Sequence, residues 1–179
     1  MLFLFMLGFG GSSAFQDRSQ PTINVTDLER RVHELINAQR MNQKLRPLKV
    51  DERLSAIARN HSQDMGRRGF FDHINPDGKS PTERGRAAKY TCRKYTLEYV
   101  SEGLAENIFQ NNLYNRVIML GKEITFDWNT PEKIVESTVN GWMSSPGHRR
   151  NILNSRYERT GIGIAVASND QVFITQLFC

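Results

Sequence analysis

Ile162, Ile164 and Val166 fall at every second position near the end of the chain, separated by glycine and alanine. A helix with that spacing scatters its apolar side chains around the axis, whereas a strand puts them on one face. Ser168-Asn169-Asp170 supplies turn residues, and Val172, Ile174 and Leu177 follow. The segment predicts a β-hairpin that contributes two core strands to an antiparallel sheet.

The rest of the chain has mostly the helical period. Thr26 and Glu29 read as a capping box opening a helix to Asn42, with Leu28, Val32, Leu35 and Ile36 on its apolar face. Asp51 is a good N-cap for a second helix, along which Leu54, Ile57, Ala58, His61 and Met65 align. Ser80-Pro81-Thr82-Glu83 opens a short third helix, and Thr130-Pro131-Glu132 a fourth carrying Ile134, Val135, Val139, Trp142 and Met143. A further strand is expected at 105–109, while residues 111–129 show no clear period and read as a surface insertion. Helices followed by strands argue an α+β domain with helices packed on a sheet.

At 179 residues, 39% apolar and 24% charged, the chain is one globular domain rather than a disordered one. Its net charge of +5 suits an anionic wall polymer or membrane surface as partner. The arginine pairs 30–31, 67–68 and 149–150 lie far apart, which describes a solvated basic surface rather than a nucleic-acid site. Residues 2–8 are nearly all apolar and Ser12-Ser13-Ala14 offers a cleavage site, so 1–14 reads as a signal peptide and the protein as secreted. No Lys or Arg precedes the apolar run, and the competing reading is an apolar arm packed on the fold. The run is shorter than the roughly 20 residues a membrane-spanning helix needs. Residues 15–25 form a linker with a sequon at Asn24-Val25-Thr26, leaving 26–179 as the domain, expected to be monomeric. Cys92 and Cys179 either pair, closing a loop of nearly half the chain, or remain two thiols.

The four histidines are not equivalent. His33 sits among charges, and His61 lies on an apolar helix face, the usual place of a hydrogen-bonded core histidine. His73 stands between Phe70-Phe71-Asp72 and Asn75-Pro76-Asp77-Gly78, in a loop able to present it at a cleft. Ser145-Pro146-Gly147-His148 reads as N-cap, N1, N2 and N3 of a short helix, whose dipole keeps His148 neutral and able to accept a hydrogen bond or ligate a metal. Glu106 is flanked by small and apolar residues and needs a partner if buried. Two imidazoles and a carboxylate match the ligands of an open zinc site, or Glu106 is one half of a structural ion pair.

Four segments together resemble the CAP superfamily of cysteine-rich secretory, antigen 5 and pathogenesis-related proteins, in its short prokaryotic SCP-domain form. They are His61-Ser62-Gln63-Asp64-Met65 with Phe70-Phe71-Asp72-His73; Ala105-Glu106-Asn107-Ile108; Gly141-Trp142-Met143-Ser144-Ser145-Pro146-Gly147-His148-Arg149-Arg150-Asn151-Ile152-Leu153; and Thr160-Gly161-Ile162-Gly163-Ile164-Ala165. The resemblance implies an α-β-α sandwich with a central cleft holding His73, Glu106 and His148, bordered by Asn107 and Ser145. Animal members carry a second cavity glutamate three residues after the helix tryptophan. Here that position is Ser145, so the family's metal set is incomplete unless a neighbour such as Glu102 substitutes. The resemblance implies a secreted protein, and with no full nucleophile set in the sequence the chain reads as a noncatalytic binding module for a divalent metal such as zinc, a lipid or sterol, or a cell-envelope glycan. The alternative is a metal-dependent hydrolase using His73, His148 and Glu106.

Overall fold

The computed structural model describes residues 20–95 and 100–179. The expected signal peptide and the start of the expected linker lie outside the described residues. The first helix, α1 (Val25–Asn42), starts inside the segment read as linker. Its cap is Asn24, whose side chain accepts from the Asp27 backbone N–H. The expected Thr26–Glu29 capping box does not form, because Glu29 turns inward to Arg59.

The next elements follow their local signals. After β1 (Lys49–Val50), α2 (Glu52–Arg68) is capped by the Asp51 carboxylate and closed by Gly69 in the left-handed region. α3 (Pro81–Ala87) has the full Ser80–Glu83 capping box. β2 (Arg93–Tyr95) and β3 (Val100–Glu102) form a small ladder of their own. β4 (Ala105–Asn112) is the expected further strand. Residues 111–129, read as an insertion, contain a second hairpin made of β5 (Tyr114–Leu120) and β6 (Glu123–Trp128). α4 (Pro131–Ser144) starts at the Thr130 cap and α5 (Pro146–Ile152) follows at once. β7 (Arg159–Val166) and β8 (Gln171–Phe178) are the expected C-terminal hairpin.

The main sheet has the order β1-β7-β8-β4. Its two long ladders are antiparallel, and the two-residue β1 joins β7 in parallel, so the sheet is mixed. Strand alternation divides the core between its faces. Val172, Ile174 and Phe178 of β8 pack with α1 and α4 residues such as Leu28, Ile36, Val139 and Trp142. Phe173 and Leu177 point the other way, toward Met65 and Leu54 of α2. Helices on both faces make the α-β-α sandwich, with α1, α4 and α5 on one side and α2 and α3 on the other.

The glycines between the β7 isoleucines have a specific task. A Cβ on Gly161 would lie 2.1 Å from the Ser55 backbone nitrogen, and one on Gly163 would lie 2.0 Å from that of Arg59. Helix α2 therefore rests directly on the strand backbone. Cys92 and Cys179 are joined, tying the end of β8 to the segment after α3 across 87 residues. Closing a loop of that length stabilises the fold by about 4 kcal/mol in chain-entropy terms.

Candidate functional site

β4 is an edge strand, and the predicted site residues gather beside it. Alternation sends Glu106 toward the α2 layer and Asn107 toward α5. The outward carbonyls of the edge do not stay open. Trp142 Nε1 donates to the Ile108 carbonyl at 2.9 Å, and the Asn151 amide donates to that of Glu106 at 3.2 Å. The strand edge is thus held by side chains of α4 and α5, which fixes Glu106 in place.

Glu106 is buried, its side chain only 1% exposed, and both oxygens are engaged. Oε1 lies 2.8 Å from His73 Nδ1, and Oε2 accepts from the Arg84 guanidinium. Arg84 also donates to the His73 carbonyl at 2.7 Å and the Lys79 carbonyl at 2.9 Å. One arginine of α3 therefore holds both the carboxylate and the loop that carries the histidine. His61 lies beneath them, with Nε2 donating to the Asp72 carbonyl at 3.0 Å and standing 3.9 Å from Glu106 Oε1. The buried His61 Nδ1 and Arg84 Nε have no hydrogen-bond partner among the described residues.

Above this base the site opens. The His73 side chain is 45% exposed, and its ring centre is 6.4 Å from that of half-buried His148 on α5. The two rings have opposite proton affinities. The hydrogen bond to Glu106 raises the His73 pKa above its ordinary value. Burial lowers that of His148, and a positive charge on His73 lowers it further. Burial also pushes His61 down. His148 is thus biased toward the neutral form, as its place at the start of α5 suggested, with burial as the leading cause. The two neighbouring rings are thus biased in opposite directions, His73 toward the protonated donor and His148 toward the neutral form that can accept.

The structure brings His73, Glu106 and His148 together, with Asn107 beneath them. Asn107 donates to the His148 carbonyl at 3.2 Å and accepts from Asn151 at 2.9 Å, locking α5 to β4. Ser145 occupies the N-cap position of α5, yet its side chain makes no capping hydrogen bond. Glu102 does not join the cleft; it binds Arg86 and Arg93. Arg84 is the site residue that sequence reasoning missed, and Asn151 stood in a resembling segment without a role assigned to it. The need of a buried Glu106 for a partner was a signal, but nothing in the sequence selected Arg84 among several cations.

A tetrahedral ion held by His73, His148 and Glu106 needs a free carboxylate oxygen facing both rings. Glu106 as arranged turns its oxygens inward, with Oε2 on the Arg84 guanidinium, Oε1 on His73 Nδ1 and the side chain 1% exposed. Among the described residues, no group of three His, Cys, Asp or Glu side chains is placed to hold a metal. Nor does any described helix have the length and apolarity to cross a membrane.

This α-β-α sandwich is shared with solved CAP-type proteins. The cysteine-rich secretory protein family (CAP) profile matches residues 33–178, and the chain belongs to that family. It is 35% identical over 140 residues to "Uncharacterized protein YkwD" of Bacillus subtilis, an alignment covering 78% of this chain and 43% of that protein. The chain spans less than half the length of the curated relatives it matches. Among solved structures, an outer surface protein from Borrelia burgdorferi superposes with a TM-score of 0.64 at 16% identity, covering 89% of this chain and 97% of that one. An extracellular protein containing a SCP domain from Bacillus anthracis superposes with a TM-score of 0.59 at 23% identity, covering 89% and 44%. At those identities the likeness concerns the fold.

Proposed function

We propose that this chain is an extracellular binding module whose cleft takes an oxygen-bearing envelope ligand, a glycan or a lipid headgroup, between His73 and His148. The observation that carries this reading is the division of labour around Glu106. The carboxylate is buried with a partner on each oxygen, while the His73 ring it binds is 45% exposed and lies 6.4 Å, centre to centre, from the half-buried ring of His148. A protonated His73 donates to a ligand oxygen, and a neutral His148 accepts from a ligand hydroxyl. The extracellular setting is supported by the disulfide, a bond that persists in oxidising compartments, and by the apolar leader. It is also supported by the extracellular and outer-surface descriptions of two structural neighbours. The hydrolase alternative gains nothing from the geometry. A general base must reach a water, and the Glu106 side chain is only 1% exposed, with Oε1 facing His73 and Oε2 facing Arg84.

The test is a ring-proton NMR titration of His73 and His148 with envelope oligosaccharides, a soluble anionic phospholipid and zinc ion in separate arms. The first or second arm shifts both rings, and His73→Ala abolishes the response at His148. A response to zinc alone replaces the envelope ligand with an ion. No response in any arm overturns the reading.

A further inference from the structure

The network around Glu106 leaves two of its own polar atoms over. His61 Nδ1 and Arg84 Nε are buried, and neither has a hydrogen-bond partner among the described residues. Buried polar atoms are nearly always paired, so two orphans in one network call for an explanation. Their roles are fixed by the other atoms of each side chain. His61 Nε2 faces the Asp72 carbonyl at 3.0 Å, and a carbonyl only accepts, so the ring proton sits on Nε2. Burial disfavours a second proton on the ring. Nδ1 is therefore a bare lone pair, an acceptor without a donor. Arg84 uses its terminal nitrogens on the His73 and Lys79 carbonyls and on Glu106. Its Nε–H is a donor without an acceptor.

His61 and Arg84 also line a groove of about 390 Å³ between α2 and α3, a size that suits a small ligand. His73, Glu106 and His148 are not among its walls, so it is distinct from the cleft. Asn60 and Asp64 of α2 and Asn75 of the loop after His73 give it amides and a carboxylate, while Ile57 and Ala87 give it an apolar side. The Asp64 side chain is 15% exposed and only loosely partnered, with Arg68 and Arg67 at 3.6 and 3.8 Å and the Asn75 amide at 3.4 Å. Its lone pairs remain open to further donors. The two orphans select the ligand chemistry. A hydroxyl both donates and accepts, so one kind of group meets both of them. A carboxylate or a phosphodiester has no proton for Nδ1, and an ammonium has no lone pair for Arg84. We propose that this groove is a second binding site, for a sugar or polyol, whose hydroxyls donate to His61 Nδ1 and Asp64 and accept from the Arg84 Nε–H. The C–H face of the ligand lies on Ile57 and Ala87. The site is independent of the ligand between His73 and His148.

The orphan nitrogen is its own reporter. The full chain, labelled with nitrogen-15 in its histidine rings, is titrated with ribitol, N-acetylglucosamine, maltotriose and inorganic phosphate in separate arms. A sugar or polyol arm moves the His61 Nδ1 resonance upfield, as a donated proton does to a bare ring nitrogen. Asn60→Ala weakens that response about tenfold. Ala87→Trp fills the groove and abolishes it. Both residues are exposed, so the melting temperature of each variant stays that of the wild type. Neither variant alters the response of His73 and His148 to envelope oligosaccharides, so failure of the groove leaves the cleft reading standing. A response to phosphate alone makes the groove an anion site and overturns the proposal. So does a His61 response that survives Ala87→Trp and vanishes in His73→Ala, since it is then relayed from the cleft. An Nδ1 resonance that no arm moves also overturns it, and the position then belongs to an internal water.

Discussion

Two buried carboxylates tie the helical layers of this molecule together, one toward each edge of the sheet, and they do it differently. Glu29 of α1 takes a two-pronged contact from Arg59 of α2, at 2.7 to 3.0 Å, and accepts the Ile164 backbone N–H at 3.1 Å. Glu106 of β4 takes Arg84 on one oxygen and His73 on the other. Each has one arginine. The second partner is a backbone amide at Glu29 and an imidazole at Glu106. An amide has one protonation state and faces inward. The imidazole titrates, and its far edge reaches solvent beside a second histidine. A buried carboxylate thus meets a partner of fixed protonation state at one edge, and a titrating partner that reaches the surface at the other.

The largest expected effect separates the two. Glu106→Ala leaves the Arg84 guanidinium, only 9% exposed, without its counter-charge and lowers stability by about 3–5 kcal/mol. Glu29→Ala orphans the Ile164 N–H, but Arg59 is 36% exposed and regains water, so the loss is about 1–3 kcal/mol. Urea unfolding of both variants measures the order; equal losses break the comparison.

The next effect is on titration. Glu106→Gln keeps the shape and removes the charge, so the His73 pKa drops back toward its ordinary value in ring-proton NMR, while Glu29→Gln leaves it unmoved. In the wild type His73 titrates above His148. A reversed order would remove the basis for assigning donor and acceptor.

Stability carries the same signature. The folded state holds the His73 proton more tightly than the unfolded chain does. Its contribution is therefore complete below the ordinary histidine value of about 6.5 and fades as pH rises through the raised folded value. His148 has the opposite sign. Its folded pKa is lowered, so it costs stability as pH falls below the ordinary value. The difference in unfolding free energy between wild type and His73→Asn, followed from pH 5 to about pH 9, shrinks with rising pH. A difference that grows would reverse the sign argued for Glu106.

The smallest effect concerns Ser145. It borders the cleft by position but makes no capping hydrogen bond, so Ser145→Ala changes stability by less than about 0.5 kcal/mol. Asn24→Ala, which removes an observed cap, costs about 1 kcal/mol. A large loss at Ser145 would place a contact there that the present geometry lacks.

Much of the fold was legible because its signals are local. Asp51, Ser80 and Thr130 mark helix starts through hydrogen bonds spanning three residues, and the β7–β8 hairpin through period-two alternation. The same locality misled at Thr26, where Asn24 was an equally good cap and Glu29 had a stronger partner in another layer. Residues 111–129 hid a hairpin because both of its faces are apolar, which blurs the alternation that normally reveals a strand. Motif order put His73, Glu106 and His148 in one cleft, but not the contacts among them.

What the sequence determined by itself is therefore the main helices and the C-terminal hairpin, since caps, turns and periodicity act within a few residues, while the grouping of His73, Glu106 and His148 came from motif order. The tertiary structure decided the rest. It chose Arg84 for Glu106 and Arg59 for Glu29, joined Cys92 to Cys179, and left the β5–β6 hairpin outside the main sheet. Each of those outcomes depends on which distant side chains meet once the layers close, and several arginines and glutamates were equally eligible until they did.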